Sequence, residues 1–248
     1  MSEAVKADAE NWENVMYDDV ENPAIGQRLG VSYLQSNLEY VDLKVNQNIV
    51  RVYQSSMGVM AIAGVVWDAG FCLSDYMIAS KGVLGNVLDL GCGTGVCGLT
   101  AVLLDATRVT FTDIIEPPSL DDNLSQLSDE LRSRTNFVAH DWNNIILSDN
   151  LISPSSSGVW DTVLCSDLLY DKKVHDSLLR LLQQLRMKKA IFAYKRRHDV
   201  PEREFYRKLS LFCNIEVVIP SSFELKNLSQ SAISGLYLVI VVPKGSSC

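Results

Sequence analysis

Hydrophobic positions fall into short runs along most of the chain, and the spacing within each run identifies the element it belongs to. Residues 38–45 alternate apolar and polar side chains, 46–48 (N-Q-N) supply turn chemistry, and 49–53 resume the alternation, which predicts a β-hairpin. The spacing of Phe71, Leu73, Met77 and Ile78 suits a helix over 71–80, ended by Lys81 and Gly82. From residue 87 onward strand-length and helical runs take turns. Strands are predicted at 87–90, 109–112, 136–140, 162–165 and 190–194, and helices at 96–104, 120–131, 174–185 and 202–211. Such alternation implies a parallel sheet with helices on both faces. The last two runs, 215–219 and 236–242, are separated by a polar, Ser-rich stretch with no helical pattern and predict an antiparallel hairpin at one sheet edge. The expected fold is therefore α/β and Rossmann-like, with seven strands, a C-terminal antiparallel hairpin and an N-terminal β-hairpin extension. Residues 147–158, with Pro154 and the run Ser155-Ser156-Ser157, read as a loop insertion.

Length and charge refine this picture. A chain of 248 residues that is 47% hydrophobic buries a full core as one large domain. The net charge is -8, but residues 1–22 hold seven acids against Lys6 alone, so the acidity belongs to the start of the chain. Residues 1–30 are read as a flexible acidic tail and 31–248 as a single domain. Between Arg186 and Lys208 nine basic residues face three acids, read as a solvated face, with a phosphate-tracking surface as the alternative. No charged n-region with an apolar run, and no 18-residue apolar span, is present, which disfavours secretion and membrane insertion. The six cysteines, at 72, 92, 97, 165, 213 and 248, form no C-x-x-C pair and are read as reduced core thiols of a cytoplasmic or nuclear protein. His140, His175 and His198 lack ligand spacing, and no metal is expected.

The chemistry concentrates in residues 87–95, V-L-D-L-G-C-G-T-G, an acid inside an apolar strand followed by alternating glycines. Glycines there let the backbone turn tightly and let a ligand lie against main chain. Residues 93–98 also satisfy the G-x-G-x-x-G dinucleotide fingerprint, which would seat a pyrophosphate on the helix N-terminus. Asp89 separates the two readings, because a carboxylate entering the turn repels a pyrophosphate and suits a ligand carrying an ammonium or a sulfonium. S-adenosylmethionine carries both. Asp113, closing the next strand, sits at the offset where a carboxylate takes ribose hydroxyls.

Five motifs together resemble a known group: Trp67-Asp68-Ala69-Gly70, the turn from Asp89 to Gly95, Asp113, Asp141-Trp142, and Asp167-Leu168-Leu169-Tyr170. The chain resembles the seven-β-strand protein-lysine methyltransferases over residues 38–243. Within that group the V-W-D-A-G stretch is most similar to the enzymes acting on valosin-containing protein. The resemblance implies a class I methyltransferase sheet and an S-adenosylmethionine cofactor. It implies that Trp67 covers part of the cofactor, that Gly91, Gly93 and Gly95 form its cradle behind Asp89, and that Asp113 binds the ribose. Asp141 and Trp142 would flank the adenine, and Ser166, where close relatives often carry alanine, would face the cofactor. Asp167 and Tyr170 would border the lysine channel as the catalytic pair.

Methyl transfer is an in-line displacement, so the protein chiefly aligns nucleophile, methyl and sulfur. A lysine must lose its proton before it attacks, and Asp167 is read as orienting the incoming ammonium, with Tyr170 walling the channel. The expected partner is a protein substrate, a chaperone or an AAA ATPase, with nucleic acid disfavoured and the enzyme a monomer. Other targets, a histidine, an N-terminal amine or RNA, use the same cofactor, and a non-catalytic cofactor-binding module is the alternative from outside enzymes.

Overall fold

The computed structural model describes residues 12–17, 35–55, 62–144, 147, 151, 154 and 158–245. The N-terminal hairpin is β1 (Tyr40–Val45) and β2 (Asn48–Tyr53), paired antiparallel around a two-residue turn whose Asn46 adopts φ 55°. After it come α2 (Asp68–Ser80), β3 (Asn86–Leu90), α3 (Val96–Leu103), β4 (Arg108–Asp113), α4 (Pro118–Ser125), α5 (Asp129–Arg132), β5 (Thr135–Ala139) and β6 (Thr162–Ser166). The chain ends with α6 (His175–Gln184), β7 (Ala190–Lys195), α7 (Asp199–Ser210), β8 (Cys213–Val218) and β9 (Leu236–Pro243). A short helix, α1 (Trp12–Tyr17), precedes everything.

One seven-stranded sheet, ordered β5-β4-β3-β6-β7-β9-β8, organises the domain. Strands β5, β4, β3, β6 and β7 are parallel, and β9 runs antiparallel between β7 and β8. All five residues of β3 are buried, as expected of a central strand covered on both faces. Successive residues of β3 serve opposite cores: Val87 joins the one built with α2, α3 and the hairpin, while Leu88 and Leu90 join the one built with α6 and α7. Two asparagine side chains clamp the hairpin to the domain by copying a strand's backbone pattern. Asn123 accepts from Tyr53 N at 2.7 Å and donates to Tyr53 O at 3.1 Å, and Asn227 does the same for Lys44, also at 2.7 and 3.1 Å. Asn123 also donates to Thr94 O, which ties the hairpin to the glycine turn.

The structure changes several element boundaries. The helix expected over 120–131 is two helices, because Ser128 turns the chain and its hydroxyl caps α5 by accepting from Leu131 N. Helix α2 begins at Asp68, where an acid in the first turn favours the start, and α7 begins at Asp199, since Pro201 is tolerated in a first helical turn. Between β8 and β9 lie two short 3-10 turns, Pro220–Ser222 and Gln230–Ile233. Within the expected acidic tail, α1 packs Trp12 against Tyr206 and pairs Glu13 with Arg207 at 2.7 Å, while the rest of that tail lies outside the described residues. Most of the loop expected at 147–158 also lies outside them. Cys72, Cys92, Cys97, Cys165 and Cys213 are buried free thiols, and Cys248 is not among the described residues. Among the described residues no helix is long and apolar enough to cross a membrane.

Candidate active site

The carboxyl ends of β3, β4, β5 and β6 open onto a cavity of about 430 Å³, closed on one side by residues 62–70. This is the crevice where open α/β sheets bind ligands. Trp67, Gly91, Gly93, Asp113, Asp141, Trp142, Ser166, Asp167 and Tyr170 all line it, so nine of the expected site residues converge. Asp89 and Gly95 do not reach its wall.

The glycine turn earns its composition. Gly91 and Gly93 adopt φ 62° and 53°, in the left-handed region. A Cβ on Gly91 would stand 2.8 Å from Leu168 Cδ2 and 3.0 Å from Trp142 Cζ2, and one on Gly93 would stand 2.7 Å from Ala63 O. Asp113 holds the turn from the next strand: Oδ2 accepts from Gly93 N at 3.0 Å and Oδ1 from Ile114 N at 2.8 Å. Each oxygen retains a lone pair for a ligand hydroxyl. Burial pushes the Asp113 carboxyl above its ordinary range, and the two backbone donors oppose that. Trp67 is pinned by its indole N–H to Ile62 O at 2.9 Å, and Asp141 Oδ1 closes a turn by accepting from Asn143 N at 2.9 Å.

Asp89 has a different place from the one its sequence position suggested. Its Oδ2 accepts from Gly98 N at 2.8 Å inside the first turn of α3, so it fills the helix end that a pyrophosphate would need. It acts on the helix end from within the fold rather than by facing the cavity. Burial drives the Asp89 carboxyl up to about 7, and the Gly98 N–H only partly opposes it. Folding thus takes up a proton there between the ordinary aspartate range and about 7, and stability falls as pH rises through that window. Asp89→Asn keeps an acceptor and removes the titration. Its melting temperature relative to the native chain should rise between pH 4.5 and 8, by the equivalent of about 2–4 kcal/mol. A difference independent of pH would contradict this.

Directly past β6, in the same cavity wall, Asp167 adopts φ 55° and is buried. Its carboxylate is not free: Arg197 donates Nη1 to Oδ1 at 2.7 Å and Nη2 to Oδ2 at 2.8 Å. The preceding residues are paired as well, Lys195 with Asp68 at 3.6 Å and Arg196 with Asp199. Residues 195–197 are thus three ion pairs set into the fold, while the solvated face read from the sequence holds for Arg207 and Lys208. Tyr170 stands at the rim, 42% exposed, with burial of its inner part raising the phenol.

Among the lining residues assigned no site role from the sequence, two bear on the chemistry, Arg197 and His140. Arg197 follows β7 at the same sheet edge as Asp167, a position visible in the strand pattern though its partner was not. His140, at the end of β5, is buried, and among the described residues its Nε2 has no hydrogen-bond partner. Burial lowers its basicity against the pull of Asp141, so the ring is a neutral hydrogen-bonding group. Glycines that a Cβ would close, a carboxylate with spare acceptors and an orphaned ring nitrogen together fit a nucleoside ligand.

Comparison with known proteins follows the same line. A model of a family described as lysine methyltransferase matches residues 44–212. The electron transfer flavoprotein beta subunit lysine methyltransferase of Danio rerio is 30% identical over 121 residues, which are 48% of this chain and 43% of that protein. Protein N-lysine methyltransferase METTL21A of Danio rerio is 28% identical over 174 residues, 69% of this chain and 73% of that one. The match thus spans under half the length of the first relative and nearly three quarters of the second. Among solved structures SMU.776, assigned to the methyltransferases and solved with SAH, superposes with TM-score 0.54 at 13% identity, covering 83% of this chain and 56% of that one. That likeness shows the fold.

Proposed function

We propose, from the premise that this chain belongs to the lysine methyltransferase family, that it transfers a methyl group from S-adenosylmethionine to the ε-amine of a lysine in a protein substrate. The observation that carries this reading is the cavity itself, whose wall brings the glycine turn behind β3 and Asp113 at the end of β4 together with Asp167 and Tyr170 behind β6. Bound there, S-adenosylmethionine supplies an electrophilic methyl group on a positively charged sulfur. Asp113 accepts from the ribose hydroxyls, the glycine turn lets main chain approach the ligand, and Trp142 and Asp141 flank the adenine. Trp67, fixed by Ile62 O, covers the ligand and excludes water. Tyr170 walls the opening through which the lysine side chain enters. The protein's part is to bring nucleophile and methyl into line and to keep the amine desolvated, which favours its neutral form.

The likeness of residues 66–70 to the enzymes acting on valosin-containing protein makes AAA ATPases and chaperones the first substrates to try, met in the cytoplasm or nucleus by a monomeric enzyme. The test is incubation of the chain with deuteriomethyl S-adenosylmethionine and an extract from cells lacking it, followed by mass spectrometry. Deuteriomethyl on lysine is the expected result. Label confined to histidine, N-terminal amines or RNA would overturn the assignment.

A further inference from the structure

Three carboxylates line the cavity, Asp113, Asp141 and Asp167, and the one directly behind β6, Asp167, is already neutralised. Arg197 reaches it from the neighbouring strand end with two parallel hydrogen bonds, the strongest geometry available to such a pair. Both residues are fixed by their backbones. Asp167 N donates to Ala193 O at 2.7 Å, and Lys195 N donates to Asp167 Oδ1 at 3.2 Å. The loop carrying Arg197 is held by Glu202, fully buried, whose Oε1 accepts from Arg197 N at 2.9 Å and His198 N at 2.8 Å. Arg197 Nη1 also donates to Lys195 O at 3.1 Å. The pair is therefore built into the fold, and both of its members line the cavity.

A free carboxylate here would hold an incoming lysine as its ammonium, which cannot attack. A paired one does not. We propose that Arg197 is the charge-setting residue of this site: by holding both oxygens of Asp167 it neutralises that carboxylate, so that a target amine brought beside it is held uncharged. The inference rests on the methyltransferase reading above. Other charged or titratable groups around the pair are Asp68 and Lys195, themselves paired, Glu202 on α7, and Asp113, Asp171 and Tyr170 toward the opening. None of these changes in the variants below, so a change of sign in the response belongs to the pair.

S-adenosylmethionine carries a positive sulfur and its product SAH does not, so the ratio of their affinities reads the charge of this wall without any substrate. Calorimetry gives that ratio for the full chain and for Arg197→Gln, Asp167→Asn, Arg197→Lys and the double variant. Arg197→Gln exposes the carboxylate and should shift the ratio about three- to tenfold toward S-adenosylmethionine, and Asp167→Asn should shift it about as far the other way. Arg197→Lys and the double variant, which keep the pair neutral, should stay within about twofold of the native ratio. SAH affinity itself should change by less than about threefold throughout. With labelled extract proteins, the acid limb of the rate against pH should move up by about one unit in Arg197→Gln and fall back in Arg197→Lys. Shifts of the same sign in both single variants, or none while SAH still binds, would overturn the proposal. If the single variants fail to fold, a double variant with an altered ratio does so too. Failure of the native chain to bind either ligand would instead overturn the methyltransferase reading.

Discussion

Gly91→Ala is expected to weaken SAH binding at least about 100-fold while leaving a folded chain. The added methyl group has nowhere to go. At φ 62° an alanine pays about 1–2 kcal/mol of left-handed strain, and its Cβ lies 2.8 Å from Leu168 Cδ2 and 3.0 Å from Trp142 Cζ2. Relief requires either the turn or those two side chains to shift, and all of them line the cavity. The loss of stability should stay at about 1–3 kcal/mol, since the turn is at the surface of the sheet rather than within its core. Calorimetry with SAH and thermal unfolding separate the two effects. Affinity within about threefold of the native value would place the ligand away from this turn.

Asp113→Ala should have the next largest effect. Its two oxygens each accept one backbone N–H, from Gly93 and Ile114, and so fix the turn, and each keeps further acceptor capacity at the cavity wall. Removing the carboxylate deprives the ligand of charge-assisted hydrogen bonding worth about 2–3.5 kcal/mol in all, and loosens the Gly93 end of the cradle. The expected outcome is an SAH Kd raised about 30- to 300-fold, with the rate at saturating cofactor reduced only a few-fold. The acceptor is the ionised form, and burial raises the carboxyl. In the native chain, affinity should therefore fall on acidification at a higher pH than an exposed aspartate would give, and Asp113→Ala should lose that dependence. Equal loss of affinity and saturated rate would make Asp113 part of the transfer step instead.

Sequence reached the strand ends but not the contacts made across them. The hairpin, the central strands and the antiparallel close of the sheet follow from alternation and run length, because β-strands buried on one or two faces must repeat in those ways. The glycine turn, Asp113 and the pair Asp141-Trp142 were legible because each stands directly behind a strand that must end at the same edge. Asp89 was legible as important and misread in role: residues 89 and 98 are far enough apart in sequence that only the folded turn brings the carboxylate to Gly98 N. Asp167 illustrates the same gap. Its position was readable, but its bidentate partner is thirty residues away on another strand end, and no local pattern marks the meeting. Ser128 is the reverse case, a local capping residue overlooked because the apolar spacing continued past it.

The most direct measurement of the central claim is a crystal structure of the chain with SAH. The ligand should lie in the cavity at the carboxyl ends of β3 to β6, its ribose hydroxyls on Asp113, its adenine between the 141–142 segment and the glycine turn, and its sulfur directed toward Asp167 and Tyr170. A sulfur directed away from that pair, or SAH seated elsewhere on the protein, would contradict it.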